Sequence, residues 1–200
     1  MGIFLCISLF IAACSVNEVI PQNIIKKINP EKREEVSPLL LSEINHILFL
    51  LKENNLEAIN SKFINPNFGF YEVYKDDKEN KILLFQKTSL DEISDDIDSF
   101  DIKQEEARFN CSPYNDAFYG WDNEGVFLTP NTNINLSQLM IEQNLTVPNK
   151  YKDEDIKRAK FIEKTSYEVI IPYNIIFYIT KIEEQWFITL VDKIKTNCSQ

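Results

Sequence analysis

Tyr167-Glu-Val-Ile-Ile171, Ile175-Ile-Phe-Tyr-Ile-Thr-Lys181 and Gln185-Trp-Phe-Ile-Thr-Leu-Val-Asp-Lys193 follow one another with only turn-length gaps between them. All three are rich in β-branched and aromatic residues, the types that fit a pleated, half-buried surface. Strand-length runs joined by such short connections predict three antiparallel neighbours. Side-chain alternation along the last run puts Trp186, Ile188 and Leu190 on one face, with Phe187, Thr189 and Val191 opposite.

Upstream of this β-rich end the pattern changes. Two helices are expected near 135–144 and 152–165. Residues 110–133 read as irregular, punctuated by Pro113, Gly120, Gly125 and Pro130. Phe100 to Phe109 is a weak strand, and Ser89 to Asp98 an acidic helix or loop. Phe68 to Tyr74 alternates, with Phe68, Phe70, Glu72 and Tyr74 on one side. With Lys81 to Thr88 it predicts a hairpin. Asn65-Pro66-Asn67 ends a short helix from Leu56 to Ile64, for which Asn55 is the N-cap. Ser37-Pro38 starts a longer helix bearing Leu40, Ile44, Ile47, Leu48 and Leu51 at helical spacing. Helices first, then a mostly antiparallel sheet with helices inserted, is an α+β order.

The composition supports one packed domain. Of the 200 residues 44% are hydrophobic and 12% aromatic, enough for a core. The net charge of −10, with no basic stripe, argues against a nucleic-acid partner or an anionic membrane surface. Gly-rich phosphate loops are missing: only Gly69, Gly120 and Gly125 follow the N-terminal region.

Residues 3–13, Ile-Phe-Leu-Cys-Ile-Ser-Leu-Phe-Ile-Ala-Ala, are too short to span a bilayer, which needs roughly 20 residues. Their length suits a signal-peptide core. Ile11-Ala12-Ala13-Cys14 resembles the lipobox of bacterial lipoproteins. That resemblance implies cleavage before Cys14, lipid attachment on its thiol, and a membrane-anchored protein facing the periplasm or exterior. Ser15 next to the anchor favours the outer membrane where there is one. Met1-Gly2 lacks the usual basic start, and a plain secretory signal or a buried N-terminal segment stays open. The expected layout is a signal at 1–13, an acylated Cys14 with a flexible tether over 14–36, and a single α+β domain over 37–200.

Two further stretches resemble a group of small bacterial lipoproteins without assigned activity. They are Phe63-Ile-Asn-Pro-Asn-Phe-Gly-Phe-Tyr-Glu-Val-Tyr74 and the tail, Ile176-Phe-Tyr-Ile-Thr180, Trp186 to Asp192 and Asn197-Cys-Ser199. The resemblance implies helices on a curved antiparallel sheet, a cystatin-like or nuclear-transport-factor-like cone. It carries no catalytic residues over.

Under the lipoprotein reading Cys6 is removed and Cys14 is acylated. Cys111 and Cys198 then remain, in an oxidising compartment, and a disulfide between them is expected. Two free thiols are the alternative.

Tyr114, Phe118, Tyr119 and Trp121 are the candidate ligand-binding residues, because loop aromatics stack on sugars or peptides. The alternative is that they plug the core beside Cys111. His46, the single histidine, reads as a boundary residue of the first helix rather than a catalytic base. Asp91, Glu92, Asp95, Asp96, Asp98 and Asp101 read as a solvated acidic face without the rhythm of a calcium loop. No metal or cofactor is expected. Glu142-Gln-Asn-Leu-Thr146 makes Asn144 a glycosylation candidate. The functional expectation is an envelope lipoprotein acting as a non-catalytic binding or structural module for a protein or small ligand. The alternative is a hydrolase or other small-molecule enzyme.

Overall fold

The computed structural model describes residues 35–76, 82–91, 97–112, 114, 117–130, 134–194 and 198. The expected signal at 1–13, Cys14 and all but the last two residues of the 14–36 tether lie outside these. So do Glu92, Asp95 and Asp96.

Helix α1 spans Pro38–Lys52, and its N-terminus is closed by Ser37, whose hydroxyl accepts from Leu40 N–H at 3.2 Å. Leu40, Ile44, Ile47, Leu48 and Leu51 are all buried along one stripe. Helix α2, Leu56–Phe63, begins at Asn55, whose Oδ1 accepts from Ala58 N–H at 3.0 Å. Both starts follow from the sequence, since short polar side chains satisfy the orphan N–H groups of a first turn.

Asn65 then folds the chain back. Its Oδ1 accepts from the N–H groups of Asn67 and Phe68, and its carbonyl accepts from Gly69 N–H at 2.7 Å. Gly69 has φ +67, and a Cβ there would meet Lys87 O at 2.8 Å. Only glycine fits this left-handed, crowded position. Strand β1 starts after it, at Phe70–Lys75. Phe68 therefore falls out of the alternation: it packs with Tyr71 and Val73, not with Phe70.

The remaining strands are β2 (Ile82–Lys87), β3 (Ile102–Lys103), β4 (Phe109–Asn110), β5 (Gly120–Trp121), β6 (Val126–Thr129), β7 (Tyr167–Ile171), β8 (Ile175–Ile182) and β9 (Gln185–Asp192). Helices α3 (Leu136–Thr146) and α4 (Asp153–Thr165) lie between β6 and β7. Seven strands form one sheet in the order β2-β1-β9-β8-β7-β6-β3. Pairing is antiparallel except for β1 with β9 and β3 with β6. The fold is α+β.

Two apolar cores sandwich the sheet. Phe70, Val169, Phe177, Ile179, Trp186 and Ile188 pack against α1 and α2. Tyr71, Phe127, Ile170, Tyr178, Phe187 and Leu190 pack toward α3 and α4 through Leu136, Met140, Ala159 and Ile162. Helices thus cover both faces.

Three expectations are corrected. Leu190 does not share a face with Trp186 and Ile188. Tyr178 pairs with Leu190 and Ile179 with Ile188, so Thr189 is an extra residue in β9. Such a bulge flips every later side chain, and Val191 takes Leu190's expected face. The strand expected over 100–109 shrinks to two pieces, β3 and β4, in different sheets. The 110–133 segment contains β5 and β6, and β6 is an interior strand of the main sheet.

The α3–α4 pair is fastened by side chains. Glu163 of α4 accepts from Ser137 N–H and, at 3.0 Å, from Ser137 Oγ, closing the start of α3. Gln143 donates to Ile82 O at 3.1 Å and the Tyr151 hydroxyl to Leu84 O at 3.2 Å, covering carbonyls of the β2 edge. Edge strands left bare invite intermolecular pairing.

Candidate functional site

The aromatic candidates lie around a two-stranded ribbon. Phe109 pairs with Trp121 and Asn110 with Gly120. Asn110 holds the connecting loop: its Nδ2 donates to Phe118 O at 3.0 Å and its Oδ1 accepts from Ser112 N–H at 3.2 Å. Next to it Cys111 is bonded to Cys198, with a Cα separation of 5.4 Å. The bridge ties position 198 to the ribbon, as expected.

Arg108 and Asp122 clamp the base of the ribbon. Asp122 accepts from Arg108 N–H at 2.9 Å and from its Nε at 2.7 Å. Burial pushes the Asp122 carboxyl up, but hydrogen bonds and charge from Arg108 outweigh it and hold the group below the usual carboxylate range. The Arg108 guanidinium also lies 5.5 Å from the Phe118 ring centre, a cation–π distance.

The four candidates separate. Tyr114 is 92 % exposed and Tyr119 53 %. Phe118 is half-buried. Trp121 is buried, its ring 4.8 Å from that of Phe109, so it belongs to the core rather than to a surface site. No two of the four rings stack on each other among the described residues.

Tyr173, which the sequence reading passed over, joins this end of the molecule. It sits in the β7–β8 turn at φ +62 and is 60 % exposed. Its hydroxyl accepts from Trp121 N–H at 3.3 Å and lies over Gly120, where a Cβ would come within 2.8 Å. Gly120, at φ +87, makes room for the tyrosine. A large side chain in the left-handed region is uncommon and is kept where its surroundings demand it. The only cue in the sequence was the turn tripeptide Pro172-Tyr173-Asn174. Tyr119 and Tyr173 therefore flank Gly120 as an exposed aromatic pair, with Asp122 directly after β5 and Arg108 directly before the neighbouring β4.

Other titratable groups are engaged structurally. Glu72, nearly fully buried, pairs with Lys193 and with Lys87 at 2.7 Å, and Lys87 also pairs with Asp91 at 2.8 Å. Burial pushes the Glu72 carboxyl up, but the two lysines more than offset this and its pKa falls below the ordinary 4.5. The Tyr178 hydroxyl donates to Glu168 at 2.7 Å across paired strands. Burial first, then the negative charges of Glu168 and Asp192, drive its pKa far up.

His46 is exposed, accepts from Lys62 Nζ at 2.9 Å and meets Phe63 edge-on. Of the acidic cluster, Asp98 and Asp101 are exposed, and no group of three metal-ligating side chains forms among the described residues. Asn144 lies in α3, with both amide atoms bonded to the Tyr151 backbone at 2.8 Å. Its Nδ2 is engaged, which weakens the glycosylation reading. A groove of about 530 Å³ at the α1–α2 turn, between Phe49, Leu56, Glu53 and Glu57, contains no acid–base pair in contact.

No protein-family model, no curated protein and no solved structure matches this chain. Among the described residues no helix is long and apolar enough to cross a membrane.

Proposed function

We propose that the protein is an exported lipoprotein, anchored through lipid on Cys14, whose domain is a non-catalytic binding module. The observation that carries the reading is the Cys111–Cys198 disulfide with Cys111 at the surface. Exposed structural disulfides persist in oxidising compartments, the side of the membrane to which a lipobox would deliver the domain. In this reading Tyr119 and Tyr173, with Phe118 and Tyr114 nearby in sequence or space, present the ligand-facing surface to a protein or small ligand. A curved cone is the finer version of the fold within this proposal; the bulge at Thr189, which bends β9, supports curvature.

A hydrolase is served less well. Its best acid–phenol pair, Glu168 and Tyr178, is buried in the second core and bonded to each other.

Metabolic labelling with palmitate and membrane fractionation test the anchor. Wild type should label and sediment with membranes, and Cys14→Ala should accumulate as unlabelled precursor. A mature chain retaining residues 1–13 would overturn the proposal.

A further inference from the structure

The turn between α1 and α2 forms an open groove of about 530 Å³. Phe49 and Leu56 give it an apolar lining, and Glu53, Asn54, Asn55 and Glu57 a polar one. The local sequence builds it. Asn54 takes φ +51 and stops α1. The N–H groups of Asn54 and Asn55 turn back to Leu51 O at 2.9 Å and Leu50 O at 2.8 Å. Asn55 then opens α2 through its cap on Ala58 N–H. Backbone hydrogen bonds thus set the shape of the groove before anything enters it.

Its chemistry is apolar and negative together. Phe49 leaves 53 % of its surface exposed, and Leu56 is half-buried beside it in the lining. Glu53 and Glu57 are exposed, and among the described residues neither forms an ion pair. The basic side chains nearest in sequence are engaged elsewhere: Lys52 lies 5.4 Å from the Phe100 ring centre, and Lys62 pairs with Glu43 at 2.8 Å. The negative end of α1 and the positive end of α2 meet at this turn and offset each other. The two carboxylates therefore set the sign of the groove.

We propose that this groove docks a short basic and apolar peptide segment of a partner protein, its apolar side chain on Phe49 and Leu56 and its lysine or arginine at Glu53 and Glu57. Charge complementarity identifies the occupant. A cation that leaves water beside an exposed aromatic ring also gains a cation–π contact. The exposed side-chain amides of Asn54 and Asn55 match the amide groups of a peptide backbone. The competing occupants fit less well. A metal ion would use the carboxylates and leave Phe49 and Leu56 unused. Anionic lipid headgroups are repelled by Glu53 and Glu57, and a second copy of this chain brings a net charge of −10. The proposal rests neither on the lipid anchor nor on the aromatic residues of the ribbon.

The test titrates the full chain with the synthetic peptide acetyl-Leu-Lys-Leu-Arg-amide, followed by calorimetry and by backbone amide NMR. Saturable binding is expected, with shifts at Asn54, Asn55 and Leu56. Exchanging both Glu53 and Glu57 for Gln, at exposed positions that leave the core untouched, should weaken it about tenfold. Phe49→Ala should weaken it about fivefold. Added salt should weaken the wild type and leave the double glutamine variant nearly unchanged. No saturable binding up to about 5 mM, or wild-type affinity in either variant, overturns the proposal. So does equal binding of acetyl-Leu-Glu-Leu-Glu-amide, which would make the contact merely apolar, or of n-butylammonium, which would make it a simple cation site. Shifts confined to Tyr119 and Tyr173 would seat the peptide on the ribbon, overturning this proposal while supporting the ribbon as the ligand-facing surface.

Discussion

The meander of β7, β8 and β9 and the segment from Ile102 to Thr129 contribute strands to the same sheet by different means. The meander pairs each strand with its neighbour in sequence, through turns of two or three residues. Nearly every residue is buried, so local pairing and core packing reinforce each other. In the other segment β3 joins β6 in parallel, while β4 and β5 leave the main sheet altogether. Four short strands there hold their places through long-range ties: the disulfide, the Arg108–Asp122 clamp and the Tyr173–Gly120 contact. The meander is built for packing, and the ribbon for presenting side chains that packing does not absorb.

Removing packing should expose the contrast most strongly. Phe177 is fully buried at the centre of β8. Phe177→Ala should destabilise the domain by about 3–5 kcal/mol, measured by urea denaturation. Tyr119→Ala, at 53 % exposure, should stay within about 0.5 kcal/mol. Equal losses at the two sites would erase the proposed division of labour.

The ribbon should instead depend on its ties. The disulfide joins positions 87 residues apart, and Cys198→Ser should lower stability by about 2–4 kcal/mol. Hydrogen exchange should rise at Asn110 and Gly120 before it rises in β8. Uniform loosening of both regions would mean the bond acts on the whole chain.

Gly120→Ala probes the same end more locally. An alanine must adopt φ +87 and displace the Tyr173 hydroxyl, a combination expected to cost about 1–3 kcal/mol. Tyr173 fluorescence or NMR should report its release from Trp121 N–H, with the meander's core signals unchanged.

How much of this was legible in the sequence follows from the same contrast. α1 and α2 carry their start signals in Ser37 and Asn55, and the meander carries its own alternation and turns, so those elements were read correctly. The bulge at Thr189 was not, because nothing in Gln185 to Asp192 marks the extra residue; the partner strand imposes it. β6 was missed because four residues between Gly125 and Pro130 have too little period to stand out, and their strand state comes from β7 and β3. The site was half legible. Cysteine count pointed to the bridge and composition to the aromatic loop, whereas the burial of Trp121 and the arrival of Tyr173 depend on contacts 52 residues apart.

Acid should weaken the β1–β9 junction, where Glu72 lies. The pKa of Glu72 is depressed in the folded state, so its contribution is present above the ordinary 4.5 and disappears as pH falls below it. Stability measured from pH 6 downward should therefore fall through that window, and Glu72→Gln should flatten the fall. An unchanged slope in the variant would assign the loss to other carboxylates.

The smallest effect concerns how the meander turns. Ile182 pairs with Gln185, leaving Glu183 and Glu184 as a two-residue loop, and Glu183 sits at φ +57. Two-residue hairpins require left-handed backbone, and glycine or asparagine adopts it with least strain. A glutamate there gives no such relief, and the second negative charge, on Glu184, is partly offset by Lys181 at 3.5 Å. The strongest local pairing in the molecule is thus closed by a poorly suited turn, which works only because the strands on either side over-determine it. Glu183→Asn should raise stability by about 0.5 kcal/mol, visible as a small upward shift of the denaturation midpoint with an unchanged slope. A loss of stability would show that Glu183 makes a compensating interaction, and the turn would then join the ribbon as a place where long-range contacts override local preference.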